Sequence, residues 1–217
     1  MIERRIIRRS LVAAPGGLPA SLHPVLRRVY CARGVREAGE LELTLDKLLP
    51  VGSLGGIPAA VDLLLRCHRD GRRVLVVGDF DADGATSTAV MVRQLRRLGF
   101  RDPGFLVPDR FRFGYGLTPE IVRVAATMQP DLIVTVDNGV SSVEGVAEAR
   151  RHGIDVLVTD HHLPGPALPE AAAIVNPNLA GEPFASKALA GVGVAFYLMA
   201  ALTRALRERG ALADPSA

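Results

Sequence analysis

The chain lacks the residues on which disulfide-stabilised and thiolate-metal proteins depend. Its 217 residues contain no tryptophan and only two cysteines, Cys31 and Cys67, which stand far apart and in no metal-ligand spacing. A disulfide framework or a cysteine zinc site is therefore disfavoured, and a reducing cytoplasm is expected.

The sequence also lacks any long apolar run. Four of the first nine residues are arginines, but the apolar stretch after them is broken by Pro15 and Pro19, so no signal peptide is predicted. The uncharged run between Lys187 and Arg204 is shorter than the ~20 residues that span a bilayer. We expect this run to be a buried helix in a cytoplasmic protein without membrane contact.

Lysine is almost absent, since it occurs only at Lys47 and Lys187 among 26 basic residues. The formal net charge is +3 and the isoelectric point is about 9.2. The first 36 residues hold eight arginines and one acid, Glu3. Because the guanidinium fork suits phosphate, this segment is expected to lie near a polyanion. A solvated basic segment accounts equally well for the same composition.

The apolar pattern changes near Arg73. Before it, 22–29 and 58–65 have helix-like spacing; after it, short apolar runs alternate with longer amphipathic stretches, the pattern of a parallel sheet with crossover helices. Predicted strands are 74–77, 105–107, 132–136, 156–159 and 172–175, and predicted helices are 84–98, 119–128 and 143–151. The fold class is therefore α/β, with a mainly parallel sheet flanked by helices over 71–217, after a mostly helical segment over 1–70.

Acids and histidines follow three of the predicted strands. They are Asp79, Asp81 and Asp83 after the first strand, Asp137 and Asn138 after the third, and Asp160, His161 and His162 after the fourth. Because the carboxyl ends of parallel strands share one edge, these side chains are expected to converge. Acidic triplets are often strand-end turns, and histidine pairs often lie at the surface. Their conjunction at three strand ends favours a metal site.

Clustered carboxylates need a compensating cation, because desolvating an ionised carboxylate costs several kcal/mol. Oxygen ligands with imidazole favour Mn²⁺ or Mg²⁺ over structural zinc, and Mn²⁺ is the first choice. Two such ions would suit hydrolysis of a phosphodiester. Gly84 would let the next helix open toward a phosphate, with the amides of residues 85–87 directed at its oxygens.

Further polar residues in loops of the predicted sheet domain are candidates for contact with substrate. Arg110 could clamp a phosphate and Tyr115 could stack on a base, although a purely structural loop accounts equally for both. Asn138, after the third strand, and Asn176 are candidates for substrate binding, although Asn176 could instead cap a turn together with Asn178, and the turn is favoured.

Five runs, read in order, resemble the DHH phosphoesterase superfamily and, within it, the RecJ family of bacterial exonucleases. They are 77–87, 134–142, 158–165, 175–178 and 189–195. The resemblance covers about 72–205 and implies a 5′→3′ exonuclease for single-stranded DNA that uses Mn²⁺ or Mg²⁺ in recombination and repair. A single-strand-binding protein or a helicase is implied as a partner.

The resemblance also implies a role for each matching residue. The metal ligands are two carboxylates of the first motif, the bridging carboxylate of the second and an imidazole of the third: Asp81, Asp83, Asp137 and His161. His162 is implied to contact the scissile phosphate, Asp79 to ligate or orient, and Asp160 to orient the histidines.

The fourth motif of the family, which supplies another metal-ligating aspartate, is not found. Asp214 lacks the surrounding pattern, so the domain over 71–217 is expected to end before that motif, with one metal site incomplete. Two alternatives stay open. One is a phosphodiesterase for short oligonucleotides or cyclic dinucleotides, and the other is a non-catalytic DNA-binding module.

Overall fold

The computed structural model describes residues 17–212, and the chain divides into two compact units, 1–49 and 50–217. The initial arginines Arg4, Arg5, Arg8 and Arg9, and Asp214 in the tail, lie outside the described residues. In the first unit, helix α1 (Pro24–Ala32) is capped at its N-terminus by His23, whose Nδ1 accepts a hydrogen bond from the amide of Val25. Short 3₁₀ turns follow it, which agrees with the mostly helical segment predicted before the sheet domain.

The second unit is an α/β domain whose strands and helices alternate. Its helices are α2 (Ile57–Arg69), α3 (Ala82–Arg97), α4 (Arg110–Phe113), α5 (Pro119–Thr127), α6 (Val143–Arg151) and α7 (Gly191–Glu208). Its strands are β1 (Val74–Val77), β2 (Gly104–Leu106), β3 (Leu132–Val136), β4 (Asp155–Thr159) and β5 (Ala173–Val175). The predicted fold class is confirmed. The division between the two units falls between residues 49 and 50, so α2 belongs to the second unit. The sequence predicts a domain boundary between residues 70 and 71, and this boundary stays a prediction.

The five strands form one sheet in the order β2-β1-β3-β4-β5, and all neighbours are parallel. The chain runs outward from β1 to β2 and then returns to the other side of β1 to form β3. The strand order therefore reverses between β1 and β3, and in open α/β sheets ligands bind beyond the carboxyl ends of the strands at such a reversal.

Helices cover both faces of the sheet. On one face, α5 and α6 pack against side chains of β1, β3 and β4, in a cluster that includes Leu75, Ile133 and Val158. The other face is covered by α2, α3 and α7, and α7 is the predicted buried helix. Each such aliphatic side chain contributes about 1.5–3 kcal/mol on burial.

Among the α-helices of residues 17–212, α4 is the one that the sequence does not predict. It forms in the segment predicted as a loop, because the Asp109 carboxylate accepts a hydrogen bond from the amide of Phe111, 2.9 Å away. Helix α3 also begins two residues earlier than predicted, since Asp81 is its N-cap. Both differences arise from side-chain capping, which apolar periodicity does not report.

Within residues 17–212, no single helix has both the length and the apolar character needed to cross a membrane. The segments Leu45–Ser53 and Ile57–Arg69 are long and apolar enough only when they are counted together, and the chain bends sharply between them.

Gly145 allows α6 to pack directly on the main chain before α5. A β-carbon at this position would overlap the carbonyl oxygen of Leu117. We expect Gly145→Ala to lower the free energy of unfolding by about 1–3 kcal/mol, the usual cost of overpacking, although alanine is the better helix former. Urea unfolding measures this. Gly52→Ala is the control, because nothing lies within 4 Å of its added methyl; equal stability of the two variants would contradict the prediction.

Candidate metal centre

Polar side chains from three strand ends meet where the strand order reverses. Asp79 and Asp81 follow β1, Asp137 follows β3, and His161 and His162 follow β4. One ligand atom from each of Asp79, Asp81 and Asp137 lies within 4.8 Å of the others, and the same holds for Asp137, His161 and His162. Asp137 belongs to both groups and so lies at the centre of the site.

Asp137 is buried and has an unusual backbone conformation. Its φ is 61°, in the left-handed region that few residues other than glycine adopt, and it is only 2% exposed. Among the described residues, its Oδ1 has no hydrogen-bond partner. His161 Nε2 lies 3.1 Å from this oxygen without completing a hydrogen bond. Burial, and then the charges of Asp83 and Asp81, raise the pKa of Asp137 to about 7. Backbone strain of this kind clusters at functional sites, and an unpaired buried acceptor calls for a partner such as a bound cation.

Asp83 lies beside this cluster and is held by α7. Its two carboxylate oxygens accept hydrogen bonds from the amides of Gly191, 2.7 Å away, and Val192, 2.8 Å away. Its Oδ2 is 3.6 Å from His161 Nε2. A β-carbon on Gly191 would lie 2.6 Å from Asp137 Oδ1. Glycine therefore permits the start of α7 to approach two carboxylates at once.

Asp160 is buried and fully engaged with its neighbours. Its Oδ1 accepts hydrogen bonds from the amides of His161 and His162 and lies 2.7 Å from His162 Nδ1. Its Oδ2 accepts from the amide of Val140. Burial lowers the pKa of His162, but the hydrogen bond and charge of Asp160 outweigh it, so the net shift is upward. Asp160 thus orients His162 and has no remaining access to a substrate.

Tyr115 and Arg110 lie at the mouth of the site. The Tyr115 hydroxyl is 3.4 Å from the His162 ring nitrogens and from the carbonyl oxygen of Asp137. Burial, followed by nearby carboxylates, raises the pKa of Tyr115, so its hydroxyl stays protonated. The Arg110 guanidinium lies over the ring of Phe80, 3.7 Å from its centroid. Phe80 was not among the predicted site residues. The one sequence feature that could have identified it is its position between Asp79 and Asp81.

Two candidate substrate-binding residues, Asn138 and Asn176, are buried. Asn138 donates from its amide to the carbonyl oxygens of Val77 and Val136. Asn176 donates to the carbonyl of His162, and its Oδ1 accepts from the amide of Asn178, which is the predicted turn. Both side chains are enclosed and bonded within the chain, so they support the loops in this structure, and contact with substrate stays an untested prediction.

The start of α3 also differs from expectation. The amide of Gly84 donates to the Asp81 carboxylate, and the amide of Ala85 donates to the Asp81 carbonyl. These first amides are therefore used within the chain and do not face a phosphate. The role of Gly84 is steric, because a β-carbon there would lie 2.5 Å from the carbonyl oxygen of Asp79.

The donor set fits a hard divalent cation. It offers carboxylate oxygens and one or two imidazoles, without thiolates, which suits Mn²⁺ or Mg²⁺ more than structural zinc. The unpaired Oδ1 of Asp137 is an acceptor that such a cation would satisfy.

The model for the DHH family, N-terminal domain, matches residues 73–215. The exonuclease RecJ of Salmonella typhimurium, described as specific for single-stranded DNA, is 55% identical over 210 residues, 97% of this chain and 36% of that protein. The Thermus thermophilus protein of the same name is 39% identical over 193 residues, 88% of this chain and 27% of that protein. The chain thus spans about a third of the length of its curated relatives.

Solved structures agree with these matches. A crystal structure of exonuclease RecJ bound to manganese has a TM-score of 0.66 and 39% identity, covering 73% of this chain and 40% of that one. RecJ from Thermus thermophilus in complex with Mn²⁺ has a TM-score of 0.64 and 37% identity, covering 86% of this chain and 25% of that one.

Proposed function

Because the chain belongs to the DHH family, we propose that it carries the metal-binding part of a phosphodiesterase that acts on single-stranded DNA as a 5′→3′ exonuclease. The observation that supports this most is the convergence of three strand ends on Asp137, whose buried Oδ1 has no hydrogen-bond partner among the described residues. The substrate and polarity rest on the relatives and on the family resemblance.

Two divalent cations, Mn²⁺ or Mg²⁺, would supply the Lewis-acid chemistry of phosphodiester hydrolysis. Asp79, Asp81 and Asp137 would hold one of them, since their oxygens already lie within ligand range of one another. Asp83, Asp137 and His161 would contribute to the other, because His161 Nε2 is 3.1 Å from Asp137 and 3.6 Å from Asp83.

The mouth of the site would bind the nucleic acid. His162, with its Nδ1 held by Asp160, would direct its other nitrogen at the scissile phosphate. Arg110 would contact a neighbouring phosphate and Tyr115 a base, with Phe80 supporting the guanidinium.

Wider roles are proposed at the level of the family. They comprise DNA recombination and repair in the cytoplasm, and a single-strand-binding protein or a helicase as partner. The sheet domain over 71–217 would carry the catalytic residues.

The proposal is tested by incubating the protein with 5′-labelled and 3′-labelled single strands, a duplex and a dinucleotide, with Mn²⁺ or with EDTA. We expect mononucleotides to be released from the 5′ end of the single strand in the presence of Mn²⁺ only, and slowly, because one of the two metal sites is expected to be incomplete in this chain. Faster hydrolysis of the dinucleotide would instead support the short-substrate alternative. Binding of the single strand without turnover, at saturating Mn²⁺, would support the non-catalytic module.

A further inference from the structure

The segment after β5, residues 176–192, contacts residues from three strand ends of the candidate metal centre. It contains no histidine or cysteine, and its one acid, Glu182, is bonded elsewhere. We call this segment the strap. It supplies none of the proposed ligands, yet it contacts several of them.

The strap first holds the main chain of the histidine pair. The side-chain amide of Asn178 donates to the carbonyl of His161 over 2.5 Å, and that of Asn176 donates to the carbonyl of His162 over 2.9 Å. The amide of Asn178 also donates to Asn176 Oδ1, 2.8 Å away. These bonds fix the backbone from which both imidazoles project.

The strap is also braced internally. Lys187 Nζ donates to the carbonyls of Pro177 and Glu182, each 2.7 Å away, and Asn178 reaches the carbonyl of Lys187. Phe184, 1% exposed, anchors its middle in the core. The strap is therefore a fixed element rather than a loose connection.

The end of the strap is the start of α7, which holds the opposite side of the centre. There the amides of Gly191 and Val192 bind the Asp83 carboxylate, and the bare α-carbon of Gly191 lies against Asp137. One continuous segment thus holds His161 at its beginning and Asp83 at its end.

We propose that the strap is a positioning element that sets the spacing of Asp83, Asp137 and His161, and that Asn178 is a positioning residue for divalent-cation binding. The inference rests on the proposed metal centre. Its physical basis is that the contacts of a ligand residue fix its orientation: losing a direct partner of a ligating side chain weakens metal binding by about 10–100-fold, and a bond to the main chain of the ligand residue belongs at the lower end of that range.

Calorimetric titration of Mn²⁺ into wild type, Asn178→Ala and Ser186→Ala tests the inference, together with melting temperatures in EDTA and Mn²⁺ electron paramagnetic resonance spectra. Ser186 is the matched control, since its side chain makes no hydrogen bond within residues 17–212. We expect Asn178→Ala to bind Mn²⁺ about 10-fold more weakly, with an altered spectrum and a melting temperature close to that of wild type. Ser186→Ala should match wild type throughout.

Lys187→Met keeps the inference falsifiable if Asn178→Ala does not fold, because Lys187 is exposed and its loss removes only the brace. We expect a smaller loss of Mn²⁺ affinity in this variant. Wild-type affinity in folded Asn178→Ala, or in Lys187→Met when the alanine variant is unfolded, would overturn the inference. Failure of the wild type itself to bind Mn²⁺ would instead overturn the metal centre, and the inference with it.

Discussion

Replacing Asp137 by asparagine is expected to remove tight Mn²⁺ binding and, at the same time, to stabilise the metal-free protein above pH 7. The substitution keeps the shape of the side chain but removes the negative charge of Asp137, the one residue that belongs to both groups of candidate metal ligands. Loss of a central ligand should lower Mn²⁺ affinity by more than about 100-fold, since loss of an outer partner alone costs 10–100-fold.

The gain in stability follows from the pKa of Asp137, which burial and the charges of Asp83 and Asp81 raise from 3.8 to about 7. Between those values the folded state retains a proton that the unfolded state has released, so this group makes stability fall as pH rises toward 7. The full penalty applies above pH 7 and disappears below about pH 4. Asparagine carries no such penalty, and we expect it to stabilise the metal-free protein by about 1–3 kcal/mol at pH 8.

Urea unfolding in EDTA at pH 5 and pH 8, combined with Mn²⁺ calorimetry, measures both effects. Asp131→Asn is the control, because Asp131 lies at the opposite end of β3, where its carboxylate accepts from the amide of Arg73. It should bind Mn²⁺ as wild type does. Undiminished Mn²⁺ binding in Asp137→Asn would show that the centre lies elsewhere.

The centre of the sheet could be predicted from sequence because β1, β3 and most of β4 are buried on both faces. Such strands appear as uninterrupted runs of branched residues that end at polar ones, as in Val74–Val77, which Gly78 and Asp79 follow. Helix α4 could not be predicted in this way. Its four residues are too few to show a helical period, and it depends on the cap from Asp109.

The convergence of the acids could likewise be predicted, because parallel topology alone brings the ends of β1, β3 and β4 to one edge. The direction in which each side chain turns could not be predicted. Asp83 binds amides 108 and 109 residues farther along the chain, and Asn178 binds the carbonyl of His161. Such contacts depend on how α7 packs, and no local pattern in the sequence encodes them.

Asp160→Asn is expected to lower kcat for single-stranded DNA strongly while leaving KM nearly unchanged. One oxygen of Asp160 accepts from two amides and from His162 Nδ1, and the other accepts from Val140. Asparagine has a single carbonyl oxygen, so its amide group must face either Val140 or the histidine pair. The first arrangement leaves a buried donor unpaired, at a cost of about 1–3 kcal/mol, and the second forces His162 into its other tautomer.

The first arrangement keeps an oxygen on His162 Nδ1 but removes the carboxylate charge that raises the pKa of His162, and the second puts His162 in the wrong tautomer, which lowers kcat by up to about 10⁴-fold in a comparable triad. We therefore expect a loss on the order of 10²–10⁴-fold in kcat, with ¹⁵N-correlated spectra showing a changed protonation pattern at His162. Asp155→Asn, at the exposed start of β4, should retain wild-type kcat because its partner is Arg72. If Asp160→Asn turned over DNA at the wild-type rate with His162 visibly altered, the orientation of His162 would not matter for hydrolysis, and its proposed contact with the scissile phosphate would have to be abandoned.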